Sequence, residues 1–92
     1  LFALRFLGKA LDDLQRIDRP HRMIIKEKLL ILARDPAALK NNIKKLSGAG
    51  EDLYRLRAGS YRIVFKRNDE ELLIVVVRIG HRKDIYLSTG RN

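Results

Sequence analysis

Leu53-Tyr54-Arg55-Leu56-Arg57-Ala58-Gly59-Ser60-Tyr61-Arg62-Ile63-Val64-Phe65 is the stretch that decides the fold. Gly59-Ser60 reads as a two-residue hairpin turn, with glycine first as a type II′ turn prefers. That turn sets Ala58 against Tyr61, Arg57 against Arg62 and Arg55 against Val64. Strand side chains alternate between faces, so Tyr54, Leu56, Tyr61, Ile63 and Phe65 share one face. Arg55, Arg57 and Arg62 share the other. Guanidinium groups crowded on neighbouring strand positions repel one another unless an anion lies over them. Phosphate is the anion that arginine grips best.

The rest of the chain supplies partners for this hairpin. Upstream, Phe2, Leu4 and Phe6 alternate with Ala3 and Arg5, which predicts a short first strand. Ala10, Leu11, Leu14 and Ile17 fall at helical spacing, and the same reading puts Asp12 and Asp13 on the opposite, solvent side. Asp18 can cap a second helix and Pro20 suits its first turn. That helix carries Met23, Ile24, Ile25, Leu29, Leu30, Leu32 and Ala33, and ends near Arg34 before Asp35-Pro36. Residues 37–52 read as an irregular basic crossing. Downstream, Asn68-Asp69-Glu70 predicts a turn, and the non-alternating apolar run from Glu71 to Gly80 predicts a strand buried on both faces. The expected fold is α+β: a small antiparallel sheet packed by an N-terminal helical hairpin, in the order β-α-α-β-β-β. At 92 residues the whole chain, 1–92, reads as a single domain.

Charge narrows the function. The chain has 20 Lys+Arg against 11 Asp+Glu, a net charge of +9. The excess is spread along it, with 11 basic and 5 acidic residues through Leu46 and 9 and 6 beyond. This balance suits a polyanionic partner, nucleic acid or an acidic protein. The sequence has no cysteine, and its two histidines, His21 and His81, have no ligand-spaced partner. Neither a disulfide framework nor a metal site is expected. No apolar run approaches a membrane span, and the start has no signal-peptide pattern, so cytoplasmic residence is the default expectation.

The element order, Lys45-Leu46-Ser47-Gly48, the run from Leu53 to Arg62, and Arg78-Ile79-Gly80-His81-Arg82-Lys83-Asp84-Ile85-Tyr86 together resemble the RelE branch of the RelE/ParE toxin superfamily. The resemblance extends from Phe2 to Tyr86. It implies a toxin of a toxin–antitoxin pair that enters the ribosomal A site, cuts messenger RNA there, and is silenced by a cognate antitoxin. The implied partners are therefore that antitoxin and the ribosome with its message. No cofactor is implied. The family's basic residues entering the hairpin fall on Arg55 and Arg57, its arginine after the turn on Arg62, the arginine after the last strand on Arg82, and its C-terminal tyrosine on Tyr86. Arg55 and Arg57 stand where the best-studied members carry lysine, and the hairpin turn is two residues shorter.

Metal-free RNA cleavage needs a base for the 2′-hydroxyl, positive charge on the phosphorane oxygens and an acid for the leaving oxygen. Arg62 and Arg82 suit the second task, with Arg57 able to share it. Tyr86 is a candidate base or a stacking ring, and packing at the sheet edge is its bland alternative. His81 has a pKa matched to proton transfer, or serves as a structural hydrogen-bonding residue after Gly80. Arg55, Lys44, Lys45 and Lys83 are candidate phosphate contacts; a solvated linker is the alternative for Lys44 and Lys45. Arg78 is expected to pair with an acidic neighbour. Two other functions fit the same fold: a ParE-like inhibitor of DNA gyrase, and an inactive module retained for binding its antitoxin.

Overall fold

A computed structural model of the chain describes residues 1–46 and 52–85. Strand β1 (Ala3–Phe6) leads into helix α1 (Gly8–Arg16) and helix α2 (Arg19–Arg34). A 3-10 helix (Pro36–Asn42) and strand β2 (Ile43–Lys45) follow, then β3 (Leu53–Ala58), β4 (Tyr61–Asn68) and β5 (Leu73–His81). The five strands form one sheet in the order β1-β5-β4-β3-β2. Its pairings are antiparallel except β1 with β5, which is parallel, so the sheet is mixed. The α+β class and the succession of strand, two helices and three main strands are as expected.

Helix periodicity explains which side chains reach the core. Ile25, Leu29 and Leu32 repeat at helical spacing along α2 and are buried, as is Ala10 on α1. They meet Leu56, Ala58, Ile63, Phe65, Ile74, Val76 and Ile79 on one face of the sheet. Burying a side chain the size of Phe65 stabilises the fold by roughly 1.5–3 kcal/mol. Met23 and Leu30 point away from this core and are exposed. Among the described residues no helix is long and apolar enough to cross a membrane.

The hairpin register agrees with the sequence reading position by position: Ala58 pairs with Tyr61, Arg57 with Arg62 and Arg55 with Val64. Gly59 has φ 64, the left-handed conformation that the first position of a type II′ turn demands and that glycine adopts without penalty.

Four expectations are corrected. The crossing over 37–52 is not simply irregular, because residues 36–42 form two short 3-10 turns that kink at buried Leu39 and residues 43–45 pair with β3. Three residues are too few to show strand alternation in a sequence. Strand β5 is not equally buried on both faces: Ile74, Val76 and Ile79 are buried, and Leu73, Val75 and Val77 are half-buried. Its broken alternation comes from a bulge. Phe65 pairs with Val76 and Val64 with Arg78, so unpartnered Val77 resets the phase.

Asp13 does not face solvent. It is 9% exposed, and its carboxylate accepts hydrogen bonds from Arg78 Nε and Nη2 at 2.8 and 3.1 Å and from the Ile79 backbone N–H at 2.9 Å. Ile79 lies beyond Val76, the last residue that β1 covers, so Asp13 supplies an acceptor past the end of that edge strand. Asp18 flanks α2 without a side-chain cap; it accepts instead from His21 Nδ1 at 2.7 Å. The His21 ring lies 5.2 Å from that of Tyr61.

Candidate nucleic-acid interface

The helices cover one face of the sheet, and the arginines stand on the other. Register places Lys44 beside Arg55 and Arg57 beside Arg62. The Arg62 Nη1 donates to the carbonyls of Gly59 and Tyr61, both at 2.9 Å, which holds its guanidinium at the hairpin turn. The turn after β5 is fastened to the same place, because the Arg82 backbone N–H donates to the Ser60 carbonyl at 2.8 Å. Arg55, Arg57, Arg62 and Arg82 are thus brought together at one end of the open face.

Their mutual repulsion is visible at Arg62. Burial, and then the charges of Arg55, Arg57 and Arg82, lower its pKa from the ordinary arginine value. Guanidinium remains charged at any working pH, so the cluster concentrates positive charge at this end of the sheet. Arg78 shows the opposite case. Its hydrogen bonds to Asp13 raise its pKa, and its charge is neutralised within the fold, as the sequence led us to expect.

A cleft of about 190 Å³ opens at the cluster, lined by Asn41, Asn42, Ile43, Lys44, Arg55, Arg57 and Arg62. Sequence reasoning found its cations and missed its two asparagines, whose position depends on the 3-10 helix. Lys45 does not join this face. It alternates with Lys44, pairs with Tyr54, and its Nζ lies 3.6 Å from Asp52 Oδ1. Lys83 is exposed in the turn beside Arg82.

His81 is separated from the arginine cluster by the sheet itself. It pairs with Tyr61, a residue of the helix-covered face, and the two rings lie 5.6 Å apart, edge to face. Its Nδ1 accepts the Lys83 backbone N–H at 3.2 Å, and its carbonyl accepts that of Asp84 at 2.8 Å. A neutral His81 so bonded carries its proton on Nε2. Gly80 pairs with Arg62, and a β-carbon added at Gly80 would stand 3.3 Å from Ile85 Cδ1. Ile85 is therefore seated on the arginine face and buried there. Tyr86, the next residue, lies outside the described residues.

Known proteins share this architecture. Residues 4–86 match the family described as the ParE toxin of the type II toxin–antitoxin system parDE. Toxin RelG of Mycobacterium tuberculosis is 28% identical over 89 residues, covering 92% of this chain and 95% of that protein. In the intact RelBE toxin–antitoxin complex of Escherichia coli, a chain superposes with a TM-score of 0.71 at 29% identity, over 88% of this chain and 96% of that one. An archaeal RelE–RelB complex from Pyrococcus horikoshii gives 0.75 at 26% identity, over 88% of this chain and 94% of that one. The chain belongs to the ParE toxin family of type II toxin–antitoxin systems, within the RelE/ParE superfamily.

Proposed function

We propose that this toxin is a ribosome-dependent endoribonuclease that cleaves messenger RNA in the A site, and that a cognate antitoxin neutralises it by covering the arginine face. The observation that carries the proposal is the convergence of Arg55, Arg57, Arg62 and Arg82 on one uncovered end of the sheet. Like charges held this close together suit a ligand with several anionic oxygens. A phosphodiester approaching the pentacovalent transition state is such a ligand.

In this reaction the ribose 2′-oxygen bonds to the adjacent phosphorus as its proton passes to a base. The bond from phosphorus to the 5′-oxygen breaks, and that oxygen takes up a proton. The products are a 2′,3′-cyclic phosphate and a 5′-hydroxyl end. Arg62, anchored at Gly59 and Tyr61, and Arg82, fastened at Ser60, stabilise the charge on the phosphorane oxygens. Arg57 stands directly across from Arg62 and shares that task. Lys44 and Arg55 hold the neighbouring phosphate. Tyr86, the family's C-terminal tyrosine, serves as base for the 2′-hydroxyl. His81, on the far face with its Nδ1 engaged, holds the turn that carries Arg82. So sparse a set of acids and bases fits an enzyme whose substrate is positioned by the ribosome.

A gyrase inhibitor is the second reading, and the family's ParE description is what favours it. Translation of a defined message in a purified system separates the two. Message cuts that require ribosomes establish the nuclease; intact message with gyrase-dependent DNA breaks establishes the inhibitor.

A further inference from the structure

Two side chains in the arginine cleft have no part in the chemistry above. Asn41 and Asn42 end the 3-10 helix, where the backbone turns extended at Ile43 to enter β2. Buried Leu39 pins that helix, and pairing of Ile43 with Leu56 fixes the strand, so both asparagines are held from either side. Among the described residues neither carboxamide has a hydrogen-bond partner, although both line the cleft with Lys44, Arg55, Arg57 and Arg62.

The two walls of this cleft differ in chemistry. Guanidinium and ammonium groups only donate, which matches phosphate oxygens. A carboxamide offers a donor and an acceptor side by side, which matches the edge of a nucleobase. The volume of about 190 Å³ is below the roughly 300–1,000 Å³ of pockets for larger ligands. It suits one base rather than a stacked pair.

We propose that this cleft is a single-nucleotide subsite in which Arg57 and Arg62 hold a phosphate while Asn41 and Asn42 read the edge of the attached base. The proposal deepens the nuclease reading and rests on it: base preference at the cut is set at the end of the 3-10 helix, apart from the residues that drive cleavage. Arginine contacts to phosphate carry no base information, so the asparagines are what makes one codon a better substrate than another.

The test uses the full chain labelled with nitrogen-15. The side-chain NH2 signals of Asn41 and Asn42 are followed during titration with each of the four nucleoside 3′-monophosphates and with inorganic phosphate. Asn68, whose Oδ1 accepts the Glu71 N–H in a distant turn, is the internal control. Nucleotides are expected to move the Asn41 and Asn42 signals, with affinities that differ among bases by about fivefold or more. In the double variant Asn41→Ala/Asn42→Ala that spread should shrink to about twofold or less, with affinity for inorganic phosphate unchanged. Retained phosphate affinity shows that the variant is folded. Equal affinities for the four nucleotides overturn the proposal. So do asparagine signals that respond to inorganic phosphate as strongly as to nucleotides, or that stay still when a nucleotide saturates the arginines. Primer extension on translated message then compares codon profiles of the wild type and the double variant. A flattened profile supports the subsite and an unchanged profile refutes it. Absence of any cut by the wild type is a separate result that refutes the nuclease.

Discussion

Asp13 and Arg78, 65 residues apart in sequence, are joined by two hydrogen bonds of 2.8 and 3.1 Å, and a third oxygen contact ties the same carboxylate to the Ile79 N–H. The pair fastens α1 to β5 and removes Arg78 from the charge available to a ligand. Arg55, Arg57, Arg62 and Arg82 cluster instead at the hairpin end. The fold therefore sets one arginine that holds the structure together apart from a group clustered on the open face.

Asp13→Ala should cost about 2–3 kcal/mol of stability, because it leaves a half-buried guanidinium and a backbone N–H without their acceptor. Burial raises the pKa of Asp13, but the hydrogen bonds from Arg78 and Ile79 and the charges of Arg78 and Arg16 outweigh it, and the net direction is down. A depressed carboxylate contributes stability above its unfolded pKa, near 3.9, and loses it as pH falls through the folded value. Urea unfolding of wild type and Asp13→Asn should show a constant difference at neutral pH that narrows below about pH 4. A difference unchanged down to strongly acidic pH would remove the carboxylate charge from the explanation.

Arg57→Ala and Arg62→Ala should fold normally. Relief of two like charges facing each other offsets what little the exposed portions contribute, so stability should stay within about 0.5 kcal/mol of wild type or rise slightly. Message cleavage should fall by roughly 10²-fold or more, the usual cost of removing one donor to a transition-state oxyanion. Loss of the folded state in Arg62→Ala, seen by circular dichroism, would assign that residue to the fold instead.

His81→Asn should retain cleavage, since asparagine Oδ1 can stand where Nδ1 accepts the Lys83 N–H. His81→Ala should weaken it by loosening the turn that carries Arg82. Rates measured across pH should keep the wild-type profile in His81→Asn. A profile that loses one ionisation in that variant would make His81 a proton-transfer group.

Gly80→Val should unseat Ile85, because even a bare β-carbon there meets Ile85 Cδ1 at 3.3 Å. Gly80→Ala needs only a small shift of that flexible end and should be nearly neutral. The valine variant is expected to lose about 1–3 kcal/mol, as crowded substitutions do, and to lose cleavage through displacement of Ile85 from the arginine face. Equal activity of all three proteins would show that the seat of Ile85 has no bearing on cleavage.

The hairpin and its arginine face were legible in the sequence because alternation, a glycine turn and charge all agree over 53–65. Features that depend on distant partners were not. The burial of Asp13 is set by Arg78, and on its own helix it reads like neighbouring Asp12. The bulge at Val77 imitates a strand buried on both faces, since one extra residue breaks the alternation. Strand β2 is three residues long and lies within a lysine-rich run, so nothing local announces it. Asn41 and Asn42 gain their position only from that strand and the 3-10 helix before it. His81 follows Gly80 in a motif rich in cations, yet strand parity sends it to the Tyr61 face.

Primer extension on a defined message during in vitro translation, with wild type and Arg62→Ala in parallel, is the measurement that tests the nuclease most directly. The expected result is cuts within A-site codons that require ribosomes and vanish in Arg62→Ala. Intact message in the presence of translating ribosomes and folded wild-type protein, or cuts that persist undiminished in Arg62→Ala, would show that the arginine face serves some other partner.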